Sequence, residues 1–130
     1  MARKKQSGPT EKEIAILSVL WKHGPCTVRE VHTLMSGNDD TGYTTTLKLM
    51  QIMHEKGLLK RDDSAKTHIY FPVNSEEQIQ SQVVGTLLDR VFAGSTEKLM
   101  MRILSSQTVT PDELSNLKKM IEMKEKESQS

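Results

Sequence analysis

The chain has 130 residues, 35% of them hydrophobic and only 4% aromatic, with a net charge of +1. That length suits one domain or a small domain with an appendage, and eight methionines in an aliphatic composition fit packed helices better than a β-sandwich. The near-neutral balance excludes a protein that coats nucleic acid through bulk charge, and a single cysteine excludes an internal disulfide or a cysteine-built structural zinc site.

Residues 1–9 read as a basic arm, because Arg3, Lys4 and Lys5 sit beside Ser7-Gly8-Pro9 with nothing apolar to anchor them. A first helix starts at Thr10, where Thr10-Glu11-Lys12-Glu13 is a capping box, and its expected buried side is Ile14, Leu17, Leu20 and Trp21. His23-Gly24-Pro25 ends it. A second capping box, Thr27-Val28-Arg29-Glu30, opens a short helix expected to bury Val28, Val31, Leu34 and Met35 and to end near Gly37. The polar turn 38–42 leads into a third amphipathic helix over residues 41–57. There Thr46, Leu49, Met50 and Met53 share the buried stripe, while Thr44, Lys48, Gln51 and Glu55 face away, with Thr45, Leu47 and Ile52 at the edges.

After Gly57 the period changes to two. Leu58-Leu59-Lys60-Arg61 and residues 67–73 flank the turn-forming stretch 62–66, the pattern of a two-stranded hairpin in which Ile69, Phe71 and Val73 share a face. Three short helices followed by a hairpin describe a winged helix-turn-helix over residues 10–73, whose third helix enters a groove of double-stranded DNA while the wing lies along the backbone. Residues 1–66 hold 11 Lys+Arg against 8 Asp+Glu and the remainder 7 against 9, so the basic side lies with that helix. In this reading Lys48, Lys66 and the arm hold phosphates, and Thr44, Thr45 and Gln51 read bases. Tyr43 either bonds a phosphate through its hydroxyl or caps the core, and His68 is either a backbone contact or a solvated strand residue.

Residues 74–130 read as helical and more acidic. Asn74 to Glu77 offers a helix cap, followed by a stripe of Ile79, Val83, Val84, Leu87, Leu88, Val91 and Phe92 up to Gly94. A further helix over about 95–105 carries Leu99, Met100, Ile103 and Leu104. Thr110-Pro111-Asp112-Glu113 starts another, with Leu114, Leu117, Met120 and Ile121, expected to fray from Lys124 onward. Three such helices are too few to enclose a core of their own, and pairing with an identical copy solves that. The fold class is therefore mainly α with a small β-hairpin: an N-terminal winged helix-turn-helix and a C-terminal helical dimerisation domain over 74–130. The expected dimer contacts are Leu87, Leu88, Val91, Leu99, Ile103, Leu104, Leu114, Leu117 and Ile121.

No carboxylate pair, catalytic triad or phosphate-binding glycine loop stands out, so an enzyme is not expected and no cofactor is called for. His23, His32, His54 and His68 are too scattered for a metal site. Cys26 stands beside a helix start, where the dipole could lower its pKa and make a redox sensor; the plainer reading is a semi-buried turn residue. No apolar run reaches membrane-spanning length, and the basic start lacks the hydrophobic region of a signal peptide, which leads to the expectation of a cytoplasmic protein without membrane insertion.

With these motifs in hand, the chain resembles the penicillinase-repressor family, which includes methicillin-resistance and copper-transport repressors. Residues 11–21 are similar to the family's first helix, Gly42-Tyr43-Thr44-Thr45 with Lys56-Gly57-Leu58-Leu59 to its recognition helix and wing entry, and Tyr70-Phe71-Pro72-Val73 to its second wing strand. The resemblance implies a homodimeric winged-helix repressor of palindromic operators at resistance genes, with Thr44, Thr45 and Lys48 among its DNA contacts. Leu47 and Ile52 stand where many members carry lysine or arginine, so the operator sequence does not carry over; Leu47 could instead pack on a thymine methyl. The cysteine-rich C-terminus of the copper-sensing branch is absent. In the penicillinase branch a membrane sensor protease triggers cleavage inside a dimerisation helix, at a position near Arg102-Ile103 here, although that branch's Asn-Phe pair is missing. Two other readings stay open: a winged-helix protein-interaction module without DNA binding, and a thiol-based regulator acting through Cys26.

Overall fold

A computed structural model of the chain describes residues 8–36 and 42–129. Residues 1–7 of the basic arm, the expected end of the second helix at Gly37 and the turn residues 38–41 lie outside the described residues. The element order is α1 (Glu11–His23), α2 (Val28–Ser36), α3 (Tyr43–Glu55), β1 (Leu59–Asp62), β2 (Ile69–Pro72), α4 (Glu76–Val91), α5 (Thr96–Ser106) and α6 (Pro111–Gln129). Two compact units result, Met1–Thr86 and Leu87–Ser130, with the division falling inside α4.

In the first unit both expected capping boxes form. The Glu13 N–H donates to the Thr10 hydroxyl at 3.2 Å and the Glu13 carboxylate accepts from the Thr10 N–H at 2.9 Å; Thr27 and Glu30 repeat the exchange at 3.1 and 2.9 Å. Gly24 ends α1 at φ 87°, a left-handed geometry that a side chain would strain, and its N–H reaches the Leu20 carbonyl. The core gathers Ile16, Leu17 and Leu20 of α1, Val28 and Val31 of α2, Met50 and Met53 of α3, Leu59 of β1, Tyr70 of β2 and Ile79 of α4.

Several expectations about this core are corrected. On α1 the buried face turns toward Glu13 and Ile16, leaving Ile14 and Trp21 half-buried at its edge. The Trp21 indole N–H donates to the Asn74 carbonyl at 3.0 Å, which gives the polar end of that ring its partner. On α2 Leu34 and Met35 are exposed and His32 is buried in their stead. Leu34 falls off the Val28–Val31 face by helical phase, and Met35 stands on the last turn. On the hairpin Ile69 and Val73 are exposed and Phe71 is half-buried; the intervening Tyr70 fills the core.

β1 and β2 pair antiparallel, Leu59 opposite Pro72 and Arg61 opposite Tyr70. Cys26 adds a bridge to the other edge of β2: its N–H donates to the Tyr70 carbonyl at 3.1 Å and its carbonyl accepts from Tyr70 at 2.8 Å. The hairpin is thereby fixed to the α1–α2 connection, which gives a two-stranded wing a third hydrogen-bonding neighbour. The cap of α4 lies one residue later than expected, formed by Ser75 and Gln78. The Asn74 carbonyl is already committed to Trp21.

The second unit comprises the end of α4 with α5 and α6. Ala93 and Gly94, both at positive φ, turn the chain after α4. Ser95 caps α5, and Thr110 and Glu113 form the capping box of α6 ahead of Pro111. No described residue of α5 or α6 is buried. Leu87, Val91, Leu104, Leu114 and Ile121 are exposed, and Leu88, Leu99, Ile103 and Leu117 half-buried. α6 does not fray at Lys124 but continues to Gln129, where a Lys124–Glu127 pair at 3.7 Å spans one turn.

Candidate nucleic-acid interface

The third helix is held from three sides. Met50 and Met53 are fully buried along its inner stripe. Near its start the imidazole Nδ1 of buried His32 lies 2.9 Å from the Thr46 hydroxyl, and the same ring meets Tyr43 edge-on at 5.8 Å between centroids. Beyond its end the Lys56 ammonium sits 2.7 Å from the Glu13 carboxylate. With the inner side so committed, Thr44, Thr45, Lys48 and Gln51 are all exposed, and Leu47 is half-buried between the two sides.

A cleft of about 170 Å³ opens between α2, α3 and the wing. Five of the residues weighed as DNA contacts in the sequence line it: Tyr43, Leu47 and Gln51 from α3, and Lys66 and His68 from the wing. Thr44, Thr45 and Lys48 share the exposed side of α3 but do not line this cleft. Arg29, which the sequence reading passed over, lines it too, with its guanidinium 4.1 Å from the Tyr43 ring centroid. Its position two residues after the Thr27 cap, on the first helix of a helix-turn-helix, was the available signal.

The wing carries acid as well as base. Asp62 accepts from the Ser64 N–H at 2.9 Å, which turns the hairpin and holds its carboxyl below the ordinary aspartate range. Asp63 accepts from Arg61 Nε at 2.7 Å and lies 3.6 Å from His68 Nδ1. The Tyr70 hydroxyl and the Asp63 carboxylate both favour the charged form of Arg61. The sequence reading missed this cluster, because Asp62 and Asp63 counted there only as turn formers.

Cys26 is buried, and its thiol donates to the Gly24 carbonyl at 3.3 Å. Burial, and then the charge of Glu30, push the thiol up, the opposite of the activation that a redox sensor requires. Among the described residues no three of His, Cys, Asp and Glu gather as a metal site, and no helix is long and apolar enough to cross a membrane.

A MarR family protein from Bacillus stearothermophilus, 19% identical, matches 94% of this chain and 76% of its own with a TM-score of 0.50, which shows a shared fold. The transcriptional regulator BlaI of Mycobacterium tuberculosis is 31% identical over 90 residues, 68% of this chain and 62% of that protein. The match to that relative thus spans less than two thirds of its length. The penicillinase repressor of Bacillus licheniformis is 20% identical over 113 residues, covering 87% of this chain and 88% of that one. The pattern of the family described as "Penicillinase repressor" matches residues 9–123, so the chain belongs to the penicillinase repressor family.

Proposed function

We propose that the protein represses transcription as a homodimer that occupies a palindromic operator, each copy laying α3 in the major groove and its wing on the backbone. The observation that carries this reading is the division of α3: methionines without exposure on one side, and on the other Thr44, Thr45, Lys48 and Gln51, all open. Hydroxyl, ammonium and amide groups on one exposed helix side supply donors to phosphate oxygens and both donors and acceptors to base edges. Thr44, Thr45 and Gln51 read bases, Lys48 and Lys66 hold phosphates, and Tyr43 and His68 flank them. Leu47, half-buried at the edge, packs on a thymine methyl.

In the same reading residues 10–73 carry the operator contacts and 74–130 the dimer contacts. Apolar side chains left open on α4, α5 and α6, Val91, Leu104 and Ile121 among them, support a second copy as their cover, and two copies double the area on DNA. A sensor protease cutting at Arg102-Ile103 would have to unwind α5 first, since that bond lies inside the helix.

The test is a gel shift on the promoter beside the protein's own gene, with sedimentation of the same sample. Binding at nanomolar protein by a species of twice the chain mass is expected. A monomer, or no preference for that promoter over shuffled sequence, would leave the interaction-module reading in its place.

A further inference from the structure

We propose that Asp63 screens the wing from the operator duplex: its carboxylate occupies the Arg61 guanidinium and repels the DNA backbone, so the wing withholds one cation from the phosphates. This rests on the DNA-binding reading above and adds to it a residue that weakens binding, a brake on sequence-independent affinity.

Three observations carry it. The first is placement. The strand register sets Arg61 opposite Tyr70, on the side of the hairpin that enters the core at Leu59 and Tyr70. Asp63 and His68 continue that alternation past the last pair, and Asp63 Oδ1 lies 3.6 Å from His68 Nδ1. His68 lines the cleft with Gln51 and Lys66, so the carboxylate stands at the edge of the opening assigned to DNA.

The second is the form of the pair. Arg61 Nε donates to Asp63 Oδ1 at 2.7 Å and Nη2 to Oδ2 at 3.4 Å. Two donors on two oxygens is the arrangement by which a guanidinium also takes a phosphate, so carboxylate and backbone compete for the same fork. The third is exposure. The Asp63 side chain is 52% exposed and that of Arg61 24%, so an approaching backbone meets the carboxylate ahead of the cation.

Stability does not account for the pair, because an ion pair this open to water contributes little to folding. Its effect on DNA is larger. A carboxylate beside phosphates adds like-charge repulsion, and a guanidinium that stays on the carboxylate displaces no counterion from the duplex. Residues 59–72 carry three Lys or Arg against two Asp, so removal of one carboxylate doubles the wing's net charge with histidine neutral.

The full-length protein is titrated onto a fluorescent duplex from the promoter beside its gene, and onto a shuffled duplex, across a salt series. Asp63→Asn should tighten binding to both duplexes, about three- to tenfold, and steepen the salt slope by about 0.9, the gain of one phosphate. Asp63→Ala should do the same, which guards against a residual bond from asparagine to Arg61. Adding Arg61→Gln to Asp63→Asn should return the slope to the wild-type value. Urea midpoints of the Asp63 variants should match wild type. Binding by both Asp63 variants that equals or falls below wild type, beside a weakened Lys48→Ala, would overturn the screen and leave the groove reading standing. A slope that stays steep in the double variant would overturn the withholding of Arg61. A wild-type protein that binds neither duplex would remove both readings together.

Discussion

The Lys56 ammonium lies 2.7 Å from the Glu13 carboxylate, which is only 2% exposed, so the residue that closes α3 is tied to the first turn of α1. The same carboxylate completes the cap of α1 through the Thr10 N–H. Burial alone would push this carboxyl up; hydrogen bonds from Lys56 and Thr10, with the Lys56 charge, outweigh it and hold it below the ordinary glutamate range. Lys56→Met leaves a buried carboxylate short of one partner. It should cost about 1–2 kcal/mol in urea unfolding, less than a fully buried pair because the lysine is a third open to water. A loss under a few tenths would mean the pair contributes little.

The pH dependence of that pair has a definite sign. A carboxyl whose folded pKa is below its unfolded value contributes stability at neutral pH and gives it up as pH falls through the folded value. Wild-type stability should therefore fall from about pH 4 downward, and Glu13→Gln should flatten that fall. Equal acid slopes in urea titrations of the two proteins would refute the contribution of Glu13.

On the exposed side of α3, Lys48→Ala should weaken binding to every duplex and lower the salt slope by about 0.9. Gln51→Ala should narrow the gap between operator and shuffled DNA by about 1–3 kcal/mol, the worth of one base contact. Anisotropy titrations check both. Wild-type behaviour in both variants would move the interface off α3.

Replacing Leu88 and Ile103, both half-buried, by aspartate places charges on the apolar sides of α4 and α5. The expected outcome in sedimentation velocity is a monomer with poor operator affinity and retained helicity. A dimer that survives both changes would place the contact elsewhere.

Cys26, buried and with its thiol pushed up, should resist iodoacetamide at neutral pH until denaturant is added. Cys26→Ser should bind DNA as wild type before and after mild peroxide. Loss of wild-type binding on oxidation, spared in the serine variant, would instead restore the thiol reading.

Much of the fold was legible because its signals are local. The capping boxes at Thr10, Thr27 and Thr110, and the switch from helical to alternating period after Gly57, each depend on residues within a few positions. What escaped depends on partners far along the chain. The buried face of α1 is centred near Glu13, which a hydropathy pattern counts as polar and which is buried because Lys56, 43 residues away, meets it. His32 took the place given to Leu34 and Met35 because Thr46 and Tyr43 offer it a hydrogen bond and a ring. Tyr70, and not its apolar neighbours, fills the core because β2 also pairs with Cys26. At the interface, the composition of α3 marked its exposed side, but Arg29 was invisible until the fold set it over the Tyr43 ring.

The most direct test of the central claim is dimethyl sulfate protection of the promoter beside the gene, which reports guanine N7 in the major groove. Two clusters of protected guanines, centred about one helical turn or a whole multiple apart, are predicted, with both clusters weakened in Lys48→Ala. Unprotected N7 positions beneath a bound, retarded complex would contradict it, because α3 would then not lie in the groove.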